Sequence, residues 1–445
     1  MAGPNLIRRF SLYGFLKNQQ YYEPFLVLAF LQMGLSYTLI GAVIGFRDAV
    51  VNLMEIPSGA LADLWGRRRS MLVSFGAYIV SFLLLGGTGT AATSGALGTG
   101  ALVFLLLLAM AFFGVGEAFR TGTHKAMIFS WLRLQGRTGE RTRVYGYTRS
   151  WSKIGSAVSV VLACGFVLWS REFVAIFYLS AVPYVLNIVN VAGYPAALDG
   201  GRAGKVSLGQ VLAHLRQALG ETLRRAPLRR LVAESMGFEG FFKAAKDYLQ
   251  PVLQQAAVPV AASLFAGVAL DEVQRPVILV GPVYFGLFLL SAAASRKAHV
   301  LVRARGHEEG AARTLWLATL LVLAAMAPAM YWGAHALVIA GFVELHLLQN
   351  VWRPILIARV DAHCREASGA TVLSVESQAK SAATMVLAPA LGAAVDWVQS
   401  RGLGATPFWP LALVGAVIAL GFFLSAPGQP ARPPGPTGER DPSSP

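Results

Sequence analysis

Charged residues are scarce in this chain of 445 residues. They make up 14% of the sequence, whereas hydrophobic residues make up 55%. Soluble domains contain about 25% charged residues, so this composition excludes an ordinary soluble protein. The sequence has instead repeated apolar stretches of roughly 18 to 25 residues, which suit helices that cross a bilayer and are too long for barrel strands. The composition therefore indicates an all-α integral membrane protein.

Cysteine is also rare, and so are the motifs of soluble catalysis. The two cysteines, Cys164 and Cys364, lie in different segments and indicate neither a disulfide framework nor a metal site. The sequence contains no GxxxxGK[ST] phosphate loop, no HExxH zinc motif and no GxSxG nucleophile elbow. We therefore expect no enzyme activity, no metal, no cofactor and no nucleotide-driven transport.

The formal net charge is +15, which in a soluble protein would suggest a nucleic-acid partner. In a membrane protein the position of the charges matters more than their sum. If the chain has twelve spans and an internal N-terminus, almost all connecting Lys and Arg residues fall inside. Only Arg171, Arg275 and Arg401 fall outside. This positive-inside pattern predicts cytoplasmic termini and excludes a nucleic-acid partner.

The polar stretch KNQQYYEP, residues 17–24, decides how many spans precede the basic cluster GRRR. If the first span began at Pro24, the remainder before that cluster would be too short and too charged for a second span. We therefore predict spans at 10–35 and 37–62, each roughly 39 Å long at the α-helical rise, which suits a tilted helix. The polar stretch then lies inside the first span.

The stretch GFLKNQQYYEP, residues 14–24, has a counterpart in GFFKAAKDYLQP, residues 240–251. Both contain Gly-Phe-apolar-Lys followed by Tyr-x-x-Pro, and both begin the first span of a predicted half. Two halves with polar residues on corresponding helices are typical of transporters whose solute site lies between the halves. The expected parts are a six-helix bundle at 1–194, a cytoplasmic linker with an amphipathic helix at 195–227, a second six-helix bundle at 228–425 and a disordered Pro-rich tail at 426–445.

GALADLWGRRR, residues 59–69, lies between the second and third predicted spans. It resembles the loop signature of the major facilitator superfamily, Gly-x-x-x-Asp-x-x-Gly-Arg-Arg/Lys. The resemblance implies two six-helix bundles, related by pseudo-two-fold symmetry, that rock around a central cavity. It also implies that Asp63 engages the start of span eleven. The expected cytoplasmic gate comprises Gly59, Asp63, Gly66, Arg67 and Arg68.

The segments EIPSGALAD and AFRTGTHKAMIFSWL look like the efflux-type branch of this superfamily. The sequence departs from the family pattern at Leu64, a position that is often basic, and it lacks the Gly-Pro-x-x-Gly-Gly run of antiporters. Drug/proton antiport is therefore not established by these motifs.

Charged residues within the spans are the candidates for a functional site, because ionisable groups at membrane depth are costly and usually face a cavity or a partner. The deeper set is expected to line the substrate cavity: Lys17, Gln20, Tyr21, Glu23, Arg47, Asp48, Glu239, Lys243, Lys246, Asp247, Glu344 and His346. The set in the inner thirds of the spans is expected to form inner-side ion pairs or an inner gate: Glu117, Arg120, Arg149, Lys153, Arg353, Glu376 and Lys380.

Asp48 and Glu239 are the candidates for proton coupling, because a cation that approaches and leaves a buried acid can switch its protonation. Lys243 lies one helical turn after Glu239 and would be its partner. Arg47 and Asp48 are expected not to pair, since sequence neighbours point about 100° apart on a helix. The alternative for each acid is a structural ion pair between helices.

The leading hypothesis is a secondary active transporter that moves a small polar or charged organic solute by alternating access, with proton coupling and efflux. Its alternatives are a facilitative uniporter, a flippase for a lipid-like substrate, and a non-transporting receptor or assembly partner on the same scaffold. The expected partners are a small-molecule substrate, the lipid bilayer and protons, and the expected state is a monomer. The composition favours a bacterial inner membrane.

Overall fold

The structure is a computed structural model that describes residues 3–199, 209, 216, 219–220, 222, 224–265, 267–363 and 369–425. Regular structure in these residues is helical, without strands. Seven helices are long and apolar enough to cross a membrane. Most of the predicted linker, the tail at 426–445 and the side chain of Asp63 lie outside the described residues.

The helices follow the apolar runs of the sequence. Those of the N-terminal half are α1 (Gly3–Lys17), α2 (Leu26–Gln32), α3 (Tyr37–Trp65), α4 (Arg67–Thr93), α5 (Thr99–Arg120), α6 (Thr123–Leu134), α7 (Arg141–Ser170) and α8 (Ile176–Ala192). Those of the C-terminal half are α9 (Ala226–Ser235), α10 (Phe241–Ala245), α11 (Leu249–Leu264), α12 (Gln274–Arg305), α13 (Glu308–Trp332), α14 (His335–His363), α15 (Gly369–Arg401) and α16 (Trp409–Leu424).

These helices form twelve spans in the part of the chain that the structure describes. Span 1 consists of α1, a short 3-10 helix at Glu23–Phe25 and α2, while α5 and α6 together form span 4. Span 7 consists of α9, α10 and α11, and every other helix is one span. The predicted twelve-helix membrane fold is therefore confirmed.

The two halves repeat the same helix pairings. In the N-terminal half α4 packs against α5 and α8, and in the C-terminal half α13 packs against α14 and α16. Across the halves α3 packs against α15, and α12 packs against α7. These are the contacts of span 2 with span 11 and of span 8 with span 5. Span 8 is the equivalent of span 2 in the other half, and span 5 is the equivalent of span 11, so the two contacts are related as pseudo-two-fold symmetry requires.

The helices α3 and α15 cross closely because glycine faces the partner backbone on each side. A Cβ at Gly41 would lie 2.2 Å from a carbonyl oxygen of α15, and a Cβ at Gly392 would lie 2.2 Å from the carbonyl oxygen of Tyr37. Small residues allow such approach between membrane helices. At the same end, Asp396 accepts a hydrogen bond from the amide of Tyr37 at 3.0 Å, which caps α3 from the other half.

The KNQQYYEP stretch lies within span 1, but it interrupts the helix. α1 ends at Lys17, and the 3-10 helix begins only at Glu23. The Asn18 side chain donates to the carbonyl of Gly14 at 2.8 Å, which satisfies one of the acceptors that a helix end leaves free. The expected continuous span at 10–35 is thus a broken helix.

The matching stretch of span 7 is irregular as well. A π-helical turn covers Met236–Gly240, and a 3-10 turn covers Lys246–Tyr248 between α10 and α11. Both copies of the sequence repeat therefore interrupt the first helix of their half, and the two interruptions face each other across the boundary between the halves.

Candidate transport site

The two broken helices bind each other through Gln250. Its Nε2 donates to the carbonyl of Glu23 at 2.8 Å, and its Oε1 accepts from the amide of Val27 at 2.7 Å. Interrupted helices leave backbone groups without intrahelical partners, and one buried amide side chain satisfies two of them here. Spans 1 and 7 are thereby joined at the centre of the fold.

Opposite charges also join the halves at this level. Lys243 Nζ lies 2.8 Å from Asp48 Oδ2, and Lys246 Nζ lies 3.5 Å from Glu23 Oε1. Lys246 is shared with Asp247 of its own half, at 2.8 Å. Asp48 is buried, with 2% of its side chain exposed. The two copies of the sequence repeat thus contain Glu23, Lys243 and Lys246, that is, three of the four residues in these two contacts.

Two expectations about these charges need correction. Arg47 and Asp48 do interact, at 3.2 Å between Nη2 and Oδ1, because the long arginine side chain curls back although the Cβ positions diverge. Glu239 is not bound by Lys243, since that lysine reaches across to Asp48. A partner from another helix can be nearer than the residue one turn away.

The remaining cavity candidates separate into three places. His346 packs edge-on against Phe242, with ring centroids 4.8 Å apart, and so faces span 7. Glu344 is exposed and lies about 200° around α14 from His346, so the structure does not bring it to the charge cluster. Gln20 and Tyr21 lie in the break of span 1, and Tyr21 is buried.

The C-terminal half holds a closed charge network between spans 7, 10 and 11. Glu239 lies 3.1 Å from Arg353 and 2.9 Å from Lys380. Arg353 also binds Glu376 at 2.8 Å, and the hydroxyl of Ser235 donates to the same carboxylate. Glu376 is fully buried. Two acids and two bases thus neutralise each other within one half.

A second network in this half was not foreseen. Arg359, which is 3% exposed, lies 2.6 Å from Glu234 and 2.7 Å from Glu309. The apolar pattern of the sequence predicts a break between spans at 359–371, which would place Arg359 in a loop, whereas α14 continues to His363. A prediction that extended this helix to His363 would have identified Arg359 as a buried residue of a span. Among the described residues, no group of three or more His, Cys, Asp or Glu is placed to hold a metal.

The N-terminal half encloses a cavity of about 420 Å³ between α1, α6, α7 and the end of α5. Phe10, Tyr13 and Tyr145 are part of its wall. Its Lys and Arg lining consists of Lys17, Arg120, Lys125, Arg149 and Lys153, and none of the described carboxylates lines it.

Within the described residues, one of these cations forms an ion pair. Glu117 binds Arg120 and accepts a hydrogen bond from the Tyr78 hydroxyl. Arg149 and Lys153 were expected in ion pairs, but neither makes one within the described part of the chain. Both face the cavity instead. The reason is that α7 presents two cations, four residues apart, to a cavity in which the described residues supply no free carboxylate.

The GALADLWGRRR loop is fixed within its own half. Gly66 adopts φ +95°, which only glycine adopts readily, and a Cβ there would lie 3.0 Å from Asp199. The amide of Arg68 donates to Asp199 Oδ1 at 2.7 Å, and Arg67 donates to the Ser130 hydroxyl at 2.6 Å. Gly59 has open space where a Cβ would stand. Sequence reasoning did not identify Asp199, which lies far along the chain from the motif.

Two six-span halves that meet at a polar, charged boundary define a membrane transporter, not an enzyme. The sequence profile of the Major Facilitator Superfamily matches residues 18–249, more than half of the chain. The chain belongs to the Major Facilitator Superfamily. Comparison with the curated proteins finds no match.

Solved structures share the fold at low sequence identity. A mutant of the nucleoside transporter NupG is 13% identical, with a TM-score of 0.73 over 94% of this chain and 98% of that chain. A POT family transporter in complex with 5-aminolevulinic acid is 14% identical, with a TM-score of 0.67 over 95% and 96%. The E. coli xylose transporter XylE, in an inward-open conformation, is 14% identical, with a TM-score of 0.58 over 95% of each chain.

Proposed function

We propose that this protein moves a small polar or charged organic solute across a bacterial inner membrane by alternating access, coupled to protons. The observation that carries the proposal is the charged contact between spans 1, 2 and 7, above all Asp48 with Lys243 at 2.8 Å. A buried charge that is paired across two bodies forms a link that their relative movement breaks. The two bodies are residues 1–194 and 228–425, with 195–227 as a cytoplasmic linker.

The contacts between the halves support one closed end. Along α3 and α15 these contacts begin at Tyr37 with Asp396. They continue to Asn52, whose side-chain Nδ2 donates to the carbonyl of Gln378 at 3.1 Å. Gln274 also donates to the carbonyl of Leu168 at 3.1 Å near the Tyr37 end. The basic cavity lies towards the other end, where the first turns of α1 and α7 begin. The positive-inside pattern assigns this second end to the cytoplasm, and the efflux-type resemblance assigns export as the direction.

Asp48 is the better candidate for proton coupling. Of its two cationic partners, Arg47 lies on its own helix and Lys243 belongs to the other half. Movement of the halves withdraws Lys243 and leaves Arg47, so this buried acid then takes up a proton more readily. The partners of Glu239 are Arg353 and Lys380, which lie in its own half and move with it. Glu239 therefore fits the structural alternative, an ion pair that holds helices together.

The test is solute-driven proton movement in proteoliposomes with an enclosed pH dye, using organic acids, amino acids, sugars and nucleosides as solutes. We expect Asp48→Asn to reduce coupled proton movement at least about tenfold, because losing one partner of a buried pair costs several kcal/mol. Glu344→Gln is the matched control, since Glu344 lies away from the cluster, and it should stay within about twofold of the parent.

Other results identify the alternatives. Solute flux that is unchanged when the proton gradient is collapsed indicates a uniporter. Exchange of lipid between leaflets without solute flux indicates a flippase. A protein that moves no solute at all, in both orientations and with every solute class, is a receptor or assembly partner. Each of these outcomes would contradict the proposal.

A further inference from the structure

We propose that the basic cavity of the N-terminal half is an anion-binding site, and that it selects a soluble organic polyanion as the solute. The anionic groups would be carboxylate or phosphate, on a body with apolar surface. This inference deepens the proposed transport function. The statement that the anion is the transported solute rests on that function, whereas the binding of an anion in the cavity does not.

The first argument is the excess of positive charge. Glu117 neutralises Arg120, which leaves four cations on the cavity wall without a carboxylate in the described residues: Lys17, Lys125, Arg149 and Lys153. The contacts of Lys125 Nζ within the described residues are the faces of two aromatic rings, Phe129 at 5.6 Å and Tyr145 at 5.5 Å from the ring centroids. Such contacts leave its donors free to hold an anion.

The second argument is depth. Lys17 lies roughly 21 Å along α1 from its first residue, and Lys153 lies roughly 18 Å along α7, at the α-helical rise per residue. A bilayer core is about 30 Å thick, so both residues lie at membrane depth along their helices, and the open cavity is their route to water. Like charges that share a site at this depth repel each other strongly. A bound anion converts that repulsion into attraction.

The third argument is size and lining. The volume of about 420 Å³ falls in the range of sites for small organic ligands, roughly 300 to 1,000 Å³, and greatly exceeds one inorganic anion. The aromatic walls include Tyr13, which stacks on His124 with ring centroids 3.7 Å apart. Rigid aromatic surface beside several cations suits an organic body that carries two or more negative groups.

Accessibility is consistent with a ligand site. Lys125, Arg149 and Lys153 are exposed, and Lys17 is half-buried. Gly14 and Ser152 also line the cavity, and a Cβ at Gly14 would lie 2.8 Å from the Ser152 hydroxyl oxygen. The cations thus surround open space instead of being covered by neighbouring side chains.

The experiment measures binding of three aromatic probes to the purified full-length protein at constant ionic strength, by calorimetry and by thermal shift. Phthalate carries two carboxylates, phenyl phosphate carries one phosphate, and benzamide is the uncharged control. We expect phthalate or phenyl phosphate to bind and benzamide to bind at least about tenfold more weakly. Charge-assisted hydrogen bonds contribute about 1.5–3 kcal/mol, so Lys153→Gln and Arg149→Gln should each weaken anion binding roughly 10- to 100-fold.

Arg143→Gln is the matched control variant. It removes the same charge from an exposed position of the same helix α7, outside the cavity lining, and should change the affinity less than about twofold because exposed charges are screened. Equal weakening by Arg143→Gln and Lys153→Gln would overturn the proposal, since it would indicate only a general surface potential. Equal binding of benzamide and phthalate would overturn it as well.

A second arm separates a soluble anion from a lipid headgroup. Phthalate binding is repeated in nanodiscs of neutral lipid and in nanodiscs that contain phosphatidylglycerol. Unchanged affinity supports a soluble ligand, whereas loss of binding with phosphatidylglycerol assigns the cavity to lipid and contradicts the proposal. Flux of a neutral solute without anion binding would refute this inference alone, and anion binding at Lys153 without any flux would refute the transport function alone.

Discussion

Two regions that the pseudo-two-fold symmetry relates carry opposite arrangements of charge. Spans 1, 4 and 5 surround the basic cavity, while the equivalent spans 7, 10 and 11 hold the closed network of Glu239, Arg353, Glu376 and Lys380. α7 presents Arg149 and Lys153 four residues apart, and α15 presents Glu376 and Lys380 at the same spacing. At this spacing α7 carries two cations, whereas α15 carries an acid and a lysine.

The difference teaches how one scaffold separates two tasks. In the C-terminal network each charge is bound by an opposite charge, so the network fixes helix positions and offers little to a ligand. Among the described residues that line the N-terminal cavity, only Arg120 is neutralised, by Glu117, and the other cations of the lining stand around open space. A balanced network stabilises the fold, whereas an unbalanced one is suited to binding.

The largest effect is expected from Glu376→Gln in the balanced network. The change leaves Arg353 and Lys380 to share the single charge of Glu239, and removing one partner of a buried pair costs about 3–5 kcal/mol. Thermal unfolding in detergent should show a clearly lower Tm than the parent. The control Glu344→Gln removes an exposed acid and should leave the Tm unchanged. An unchanged Tm for Glu376→Gln would contradict the structural role of the network.

Arg149→Glu would make the N-terminal half resemble the C-terminal half. The new acid stands four residues before Lys153, a spacing that stabilises a helix by about 0.2–0.5 kcal/mol per opposite pair. We expect a slightly higher Tm together with loss of phthalate binding, since the anion now meets a carboxylate. Retained phthalate affinity in calorimetry would show that the cavity does not hold the anion.

The smallest effect on stability is expected from Lys153→Gln. The lysine makes no ion pair in the described structure, so its loss removes repulsion and no attraction, and the free energy of unfolding should change by less than about 0.5 kcal/mol. Chemical or thermal unfolding of the variant beside Glu376→Gln measures the contrast directly. Similar destabilisation by both variants would remove the distinction between the two regions.

Much of the architecture could be predicted because it depends on local properties of the sequence. The length of apolar runs predicted the twelve spans, and the pair GFLKNQQYYEP and GFFKAAKDYLQP predicted where the two halves correspond. The breaks in spans 1 and 7 fall within or beside these two stretches, where polar side chains and Pro compete with regular helix. The helix ends were less accurate, as the case of Arg359 shows.

The partners of the charges could not be predicted in the same way. Lys243 was assigned to Glu239 on its own helix, and it binds Asp48 on another. Arg149 and Lys153 were assigned to ion pairs, and they line a cavity. Helical spacing determines which residues share a face, but the neighbour of that face depends on how distant helices pack.

The sequence by itself determined the environment, the span count and the two-half plan, because hydrophobic length and composition act on each segment separately. Only the tertiary structure decided which charges are neutralised, because ion pairs form between side chains brought together by helix packing across many residues. The two related regions show both influences. The sequence places Glu376 beside Lys380 but two cations on α7. Packing then joins Glu239 and Glu376 to Arg353 and Lys380, and it leaves Arg149 and Lys153 around an open cavity.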